Sequence, residues 1–326
     1  MKLLPGPTAE HIRLAAKALI HGNLVAFPTE TVYGLGGDAL NVGALNRIYK
    51  YKNRPHSSPL IVHLSSMQNL SFWVKEIPDS AQTLANTFWP GPMTLLMERS
   101  LNVDDIITGG QPTIGLRIPS HKVAQELLSE FENLGGLGVA APSANKYGEV
   151  SATSGIDVHN VFGGLGNERD IILDGGICEF GIESTIISCI GSSVSILRPG
   201  VITPELIEAY TGIQVDKFTD AKNITVPGMS IKHYSPQTRV LINHSPEEGD
   251  GLIADFNFVT PSGVIRVSAP KNLFEYAKDL YRAFKNADNL KVKRLCVYLP
   301  EGNSGIAIAI RDRVNRAANQ GTNLLN

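Results

Sequence analysis

The chain has 326 residues, 43% hydrophobic and 18% charged, and a formal net charge of -2 from 29 basic and 31 acidic residues. That length exceeds what one hydrophobic core usually holds and points to two domains. The charge balance excludes a protein whose main partner is a nucleic-acid backbone, since phosphate neutralisation needs a surplus of Lys and Arg, although it leaves room for a local basic patch. The three cysteines, Cys178, Cys189 and Cys296, are odd in number and lack metal spacing. This argues against a disulfide framework or zinc site and for reduced thiols in a cytoplasm. Residues 1–10 hold Pro5, Gly6 and Pro7 and no apolar stretch of a signal peptide. No run nears the roughly 18 apolar residues of a membrane span.

In chain order, the first element is a helix. Thr8 suits its N-cap, Ile12, Ala15, Ala16, Leu19 and Ile20 recur at helical spacing, and Gly22 suits its C-terminal stop. A short strand over 24–27 follows, closed by Pro28. Apolar runs predict strands over 60–64, 93–97, 114–118, 138–141, 171–174, 184–190 and 194–197. Helices are predicted over 123–131 and 204–210. Strands and helices mix without a strict βαβ rhythm, which predicts a mixed-sheet α/β or α+β domain over 1–211. Residues 212–236 lack strong periodicity and read as an extended linker. Beyond it, strands over 239–242, 263–267 and 294–299 and helices over 273–284 and 305–318 predict a small α/β domain over 237–326.

Six segments carry polar chemistry. Residues 28–37 place three glycines and several hydroxyls on a tight connection, where backbone can approach a ligand, although an ordinary turn reads the same way. No Walker loop or dinucleotide fingerprint is present. Residues 50–60 bring Lys50, Lys52 and Arg54 to a strand start, suited to clamping a triphosphate or to a solvated basic loop. His63 lies inside the next strand, where a structural role is the commoner one. Arg117 interrupts an apolar strand and needs a partner or a site. Ala141 to Asn145, running on to Thr153, lines up short hydroxyl and amide groups. Gly181 to Thr185 leads a strand, Arg198 ends the next, and Lys232, His233 and Tyr234 close the linker. There is no Ser–His–Asp order, metal-ligand cluster or catalytic-carboxylate pair.

Together and in this order, the segments resemble the threonylcarbamoyl-AMP synthase family in its longer two-domain form. The matching runs are PTETVYGLG at 28–36, KNRP at 52–55, FWPGPMTL at 88–95, APSAN at 141–145, GIEST at 181–185, LRPG at 197–200 and PGMSIKHYSP at 227–236. The tail with Arg311, Asp312, Arg313 and Arg316 is similar to the end of the longer form. The resemblance covers essentially the whole chain, and seven ordered motifs are highly specific. It implies a twisted mixed-sheet α/β catalytic domain with a large cavity, a smaller Rossmann-like domain, and a linker folded over the cavity as a lid. It implies that Thr31, His63, Arg117, Ser143 and Ser184 line a threonine pocket. It implies that Arg54, Ser58, Thr113, Asn145, Thr153, Arg198 and Tyr234 contact ATP, and that Lys52 sits with the phosphates. Family members often carry Asn where this chain has Ser58.

The implied reaction joins L-threonine, bicarbonate and ATP into threonylcarbamoyl-AMP and pyrophosphate in the cytoplasm, for modification of tRNA by a downstream transfer machinery, with at most a weak tRNA contact. Catalysis by Lys52 and Arg54 would rest on positioning and charge neutralisation with Mg2+ carried on ATP and no tightly bound organic cofactor. Arg117 suits the threonine carboxylate. Glu30 either holds Mg2+ or accepts the amine's proton. Two other classes compete. A carbamoyl-transfer domain of the same fold usually adds acylphosphatase or zinc-finger modules, which are absent from these 326 residues. An RNA-binding, translation-regulating module is disfavoured by the near-neutral charge and the lack of an aromatic stacking platform.

If Thr31, Ser143 and Ser184 bond the substrate hydroxyl, the site should reject an analogue lacking that hydroxyl more strongly than one lacking the methyl. Serine should then be used poorly and valine hardly at all in a turnover assay; equal use of valine and threonine contradicts the pocket assignment.

Overall fold

The computed structural model describes residues 1–191, 193–216, 225–228, 233–302 and 304–318. The first domain runs β1 (Lys2–Pro5), α1 (Ala9–Ile20), β2 (Val25–Phe27), β3 (Gly34–Asp38), α2 (Val42–Lys52), β4 (Ile61–His63), α3 (Leu70–Trp73), α4 (Asp79–Phe88), β5 (Met93–Glu98), α5 (Asp105–Thr108), β6 (Thr113–Arg117), α6 (Lys122–Asn133), β7 (Val139–Ala140), α7 (Gly155–Phe162), β8 (Ile171–Asp174), β9 (Thr185–Ser188), β10 (Val194–Arg198), α8 (Pro204–Thr211) and β11 (Val215–Asp216). The second domain runs β12 (Val240–Ile242), β13 (Gly251–Ile253), β14 (Ile265–Ser268), α9 (Leu273–Leu290), β15 (Leu295–Val297) and α10 (Gly305–Ala317). None of the described helices is long and apolar enough to cross a membrane.

Helix α1 forms where the periodicity places it. Thr8 accepts a hydrogen bond from the His11 backbone, and Ile12, Ala15, Ala16 and Leu19 are buried. Gly22 takes a φ of +75° just past the helix, a conformation only glycine adopts freely. The strands assemble in the order β1-β8-β2-β3-β7-β4-β6-β5-β9-β10-β11 into one mixed eleven-stranded sheet. The mixture has a local cause: β2 and β3 are joined by a short connection and must pair antiparallel, whereas β4 and β6 pair in parallel through a longer crossover.

Two sequence expectations change here. The glycine-rich run after β2 is only partly a connection, because Gly34 to Gly37 continue as strand β3. A Cβ on Gly36 would lie 2.8 Å from the Phe27 ring and 2.8 Å from Val139, so the glycine serves close strand packing as well as turning. The linker expected from residue 212 begins with structure, since β11 pairs in parallel with β10. Residues 217–224 and 229–232, including Lys232, lie outside the described residues.

The second domain is a parallel four-stranded sheet in the order β12-β15-β13-β14 with α9 and α10 packed on it. The two domains share an apolar core: Val32, Ile182, Val201 and Tyr234 cluster with Tyr281, Phe284, Ile310 and Val314. Close approach at this interface depends on two glycines. A Cβ on Gly305 would come within 2.4 Å of Thr203, and one on Gly181 within 2.4 Å of the Lys278 carbonyl. Gly181 also holds a φ of +71°. Gly181→Ala combines left-handed strain of about 1–2 kcal/mol with a backbone clash. It should lower Tm by roughly 3 °C or more and expose the domain junction to limited proteolysis; an unchanged melt and cleavage pattern contradicts this account of the docking.

Candidate active site

The sheet's central strands and their connections line a narrow cavity of about 50 Å³. One wall comes from the connection between β2 and β3. Thr29 Oγ1 donates to the Val32 carbonyl at 2.7 Å, meets Thr31 Oγ1 at 2.8 Å, and accepts from the backbone N–H groups of Thr31 and Val32. The hydroxyls thus build the turn that presents Thr31. Register places His63 of β4 directly beside Arg117 of β6. Arg117 forms a buried ion pair with Glu30 at 2.8 Å. Its Nε and both Glu30 oxygens accept or donate no hydrogen bond of good geometry among the described residues. Burial, then Arg117, pushes the His63 imidazole down to about 3, so the ring is neutral near pH 7. Ser143 bridges to Gly34 just beyond β7. Ser184, at the entry to β9, shares its hydroxyl with Thr94 at 2.8 Å and accepts from Arg198 at 3.0 Å.

The opposite wall is cationic. Arg54 follows α2, where Asn53 turns the chain in a left-handed C-cap. It donates to the Pro59 carbonyl at 2.7 Å and lies over the Tyr147 ring. Arg198, at the end of β10, donates to the Ser184 carbonyl at 2.9 Å and to the Pro227 carbonyl at 3.0 Å, so it tethers the returning linker. Pro227, Gly228, His233 and Tyr234 then close this side. His233 is also held neutral, pushed to about 3 chiefly by burial. Three arginines against one cavity-facing carboxylate, Glu183, make a pocket suited to an anion.

All five residues of the expected threonine set line this cavity, and so do Arg54, Arg198 and Tyr234 of the nucleotide set. The others are placed elsewhere. Lys52 is buried behind the wall, its ammonium donating to the Ser143 and Asn145 carbonyls while its own carbonyl accepts from the Tyr147 N–H. Burial, then Arg54, drives its pKa well below the usual lysine range. Asn145 donates to the Lys146 and Glu149 carbonyls, and Thr153 bonds Asp157 in the α7 capping box. Thr113 opens on a smaller neighbouring cavity with Thr225 and Pro227. Ser58 presents its carbonyl to Tyr49.

His233 and Tyr234, expected outside both cores, are buried, and Tyr234 belongs to the shared interdomain core. Sequence reasoning passed over Glu183. The signal was present, an acid ahead of an apolar strand, but its partners are Tyr281 and Arg313, roughly a hundred residues or more away in sequence.

Known proteins match this arrangement at both the sequence and the fold level. A family model described as "Telomere recombination", covering the Sua5, YciO and YrdC group, matches residues 17–200. A second, described as the C-terminal domain of threonylcarbamoyl-AMP synthase, matches residues 202–319. Curated threonylcarbamoyl-AMP synthases from Pyrococcus abyssi and Bacillus subtilis are each 36% identical, over 94% of this chain and 94% and 92% of theirs. The chain belongs to the threonylcarbamoyl-AMP synthase family. The crystal structure of P. abyssi Sua5 complexed with L-threonine superposes with a TM-score of 0.85 at 33% identity, covering 98% of both chains. The mixed sheet and the parallel second sheet are therefore those of the two-domain members of this family.

Within that family fold, the burial of Lys52 separates two kinds of defect. Lys52→Met leaves two buried carbonyls short of a donor, each costing about 1–3 kcal/mol, and should lower Tm together with activity. Arg54→Met faces the cavity and should lower kcat/KM by on the order of 10²-fold with a smaller loss of Tm. The reverse ranking in thermal melts and steady-state kinetics contradicts the assignment.

Proposed function

We propose that this chain is an L-threonylcarbamoyladenylate synthase: it forms threonylcarbamoyl-AMP and pyrophosphate from L-threonine, bicarbonate and ATP in the cytoplasm and supplies the tRNA threonylcarbamoyl-transfer machinery. The observation that carries this reading is a single cavity lined by Arg117 with the hydroxyls of Thr31, Ser143 and Ser184 and by Arg54 and Arg198. Arg117 receives the threonine carboxylate in a fork, while Thr31, Ser143 and Ser184 offer partners to its hydroxyl. The neutral threonine amine attacks CO2, released from bicarbonate with loss of hydroxide, and its proton leaves with that hydroxide as water, giving a carbamate. A carbamate oxygen then attacks the α-phosphorus of ATP, the bond to pyrophosphate breaks, and the reaction is a nucleotidyl transfer. Arg54 and Arg198 neutralise the phosphate charge, and the neutral His63 and His233 add no charge of their own to the wall.

Both carboxylates beside the cavity are engaged by arginines, Glu30 by Arg117 and Glu183 by Arg313. No cluster of three metal-ligating side chains occurs among the described residues. In this reading the Mg2+ ion enters with ATP, held chiefly by its phosphates and by water. Glu30, paired with Arg117, holds that guanidinium in place beside the threonine pocket. The test is pyrophosphate release by the purified chain. It should require ATP, threonine and bicarbonate together and yield a product with the mass of threonylcarbamoyl-AMP. Release that ignores threonine or bicarbonate, or that needs carbamoyl phosphate instead, overturns the reading.

A further inference from the structure

Glu183 lines the cavity, and among the described residues its hydrogen bonds come from side chains buried with it. Ser151 donates to Oε1 at 2.6 Å, Tyr281 to Oε2 at 2.8 Å, and Arg313 Nε to Oε2 at 3.2 Å. Tyr281 lies on α9 and Arg313 on α10, so two of the three donors belong to the second domain. Arg313 is itself fully buried. It donates to Asp312 at 2.9 Å, and the other oxygen of Asp312 accepts from Arg316 at 2.9 Å. Burial alone would raise the carboxyl pKa of Glu183; Arg313 and Arg198 outweigh it and hold the group below the usual range.

The same two second-domain side chains grip Tyr234. Its backbone has a φ of +59°, which a bulky residue rarely adopts unless its surroundings enforce it. The Arg313 guanidinium sits 5.3 Å from the centre of the Tyr234 ring, and the Tyr281 ring stacks on it at 5.5 Å and 24°. The Tyr234 hydroxyl is buried with no partner among the described residues, and Tyr234 lines the cavity. It abuts Gly228, where a Cβ would lie 2.3 Å from it, so nothing larger than glycine fits there.

We propose that Arg313 and Tyr281 are positioning residues of the synthase: from the second domain they hold Glu183 and the Tyr234 ring at the arginine-rich, nucleotide end of the cavity. This inference rests on the reaction proposed above only for its kinetic readout. It assigns the second domain a defined task in nucleotide use, although the described residues lining the cavity all precede that domain.

The test uses full-length Tyr281→Phe, Arg313→Lys and Arg313→Met. Calorimetry measures binding of a non-hydrolysable ATP analogue and of threonine alone, and steady-state kinetics measures KM and kcat. Tyr281→Phe keeps the ring stack and removes one donor, so it should weaken nucleotide binding and raise the ATP KM by ~10-fold. Arg313→Met should do more, and Arg313→Lys should recover part of the loss. Threonine affinity should stay within about twofold in all three. Arg313→Met should add less than its full effect to Tyr234→Ala, because part of its action passes through that ring. Wild-type nucleotide affinity in folded Tyr281→Phe and Arg313→Lys overturns the proposal. So does a parallel loss of threonine affinity, which marks mere interdomain support, or full additivity of Arg313→Met with Tyr234→Ala. Should Arg313→Met fail to fold, Tyr281→Phe and Arg313→Lys decide. If the wild type binds the analogue but forms no adenylate, the reaction assignment fails while the binding data still judge the positioning role.

Discussion

Glu183 occupies a place where an ionised carboxylate is strongly disfavoured unless donors replace the water it loses. Ser151 supplies one from its own domain; Tyr281 and Arg313 supply the others from across the interface. Docking of the second domain and completion of this cavity wall are therefore one physical event. Arg313 in turn needs Asp312, and Asp312 needs Arg316, so the charge network extends along α10. Around it, the apolar cluster joining Val32, Ile182 and Tyr234 to Tyr281 and Ile310 excludes water and strengthens each of these interactions.

The rest of the cavity follows from that dry, rigid setting. Arg117 and Arg198 extend from strands whose backbones are fixed by the sheet, and Arg54 is braced by the carbonyls of the loop before β4. Both imidazoles at the wall are neutral because burial and neighbouring arginines oppose their protonation. A site with fixed cations, short hydroxyls and no activated nucleophile suits chemistry in which the protein aligns reactants and neutralises charge, and the substrates supply the reacting atoms.

Much of the architecture was legible in the chain. Helix α1 with its Thr8 cap, the strand β8 over its full length, and the starts of both helices of the second domain appear where the sequence pattern places them, because those signals act within one turn or one strand, while α9 runs on to Leu290, past its predicted end at 284. The helices α2, α4 and α7 were not read from the sequence, nor were the short elements β1, α3, α5 and β13, which are held by neighbours more than by their own pattern. Strand β3 was hidden because glycine reads as a turn signal, and only the Phe27 and Val139 side chains show that it permits close packing.

Sequence by itself determined the family, the order of the motifs and the chemical types gathered at the site, because residue identity at fixed spacing survives without coordinates. Only the tertiary structure decided which of those residues face the cavity. Lys52 and Arg54 are two positions apart, yet one ammonium turns inward to brace the Ser143 loop and one guanidinium lines the pocket, since a left-handed cap at Asn53 redirects the chain between them. In the same way Glu183, Tyr281 and Arg313 carry no joint pattern along the chain. They become a unit only when α9 and α10 dock, because desolvation makes their pairing obligatory there and nowhere earlier.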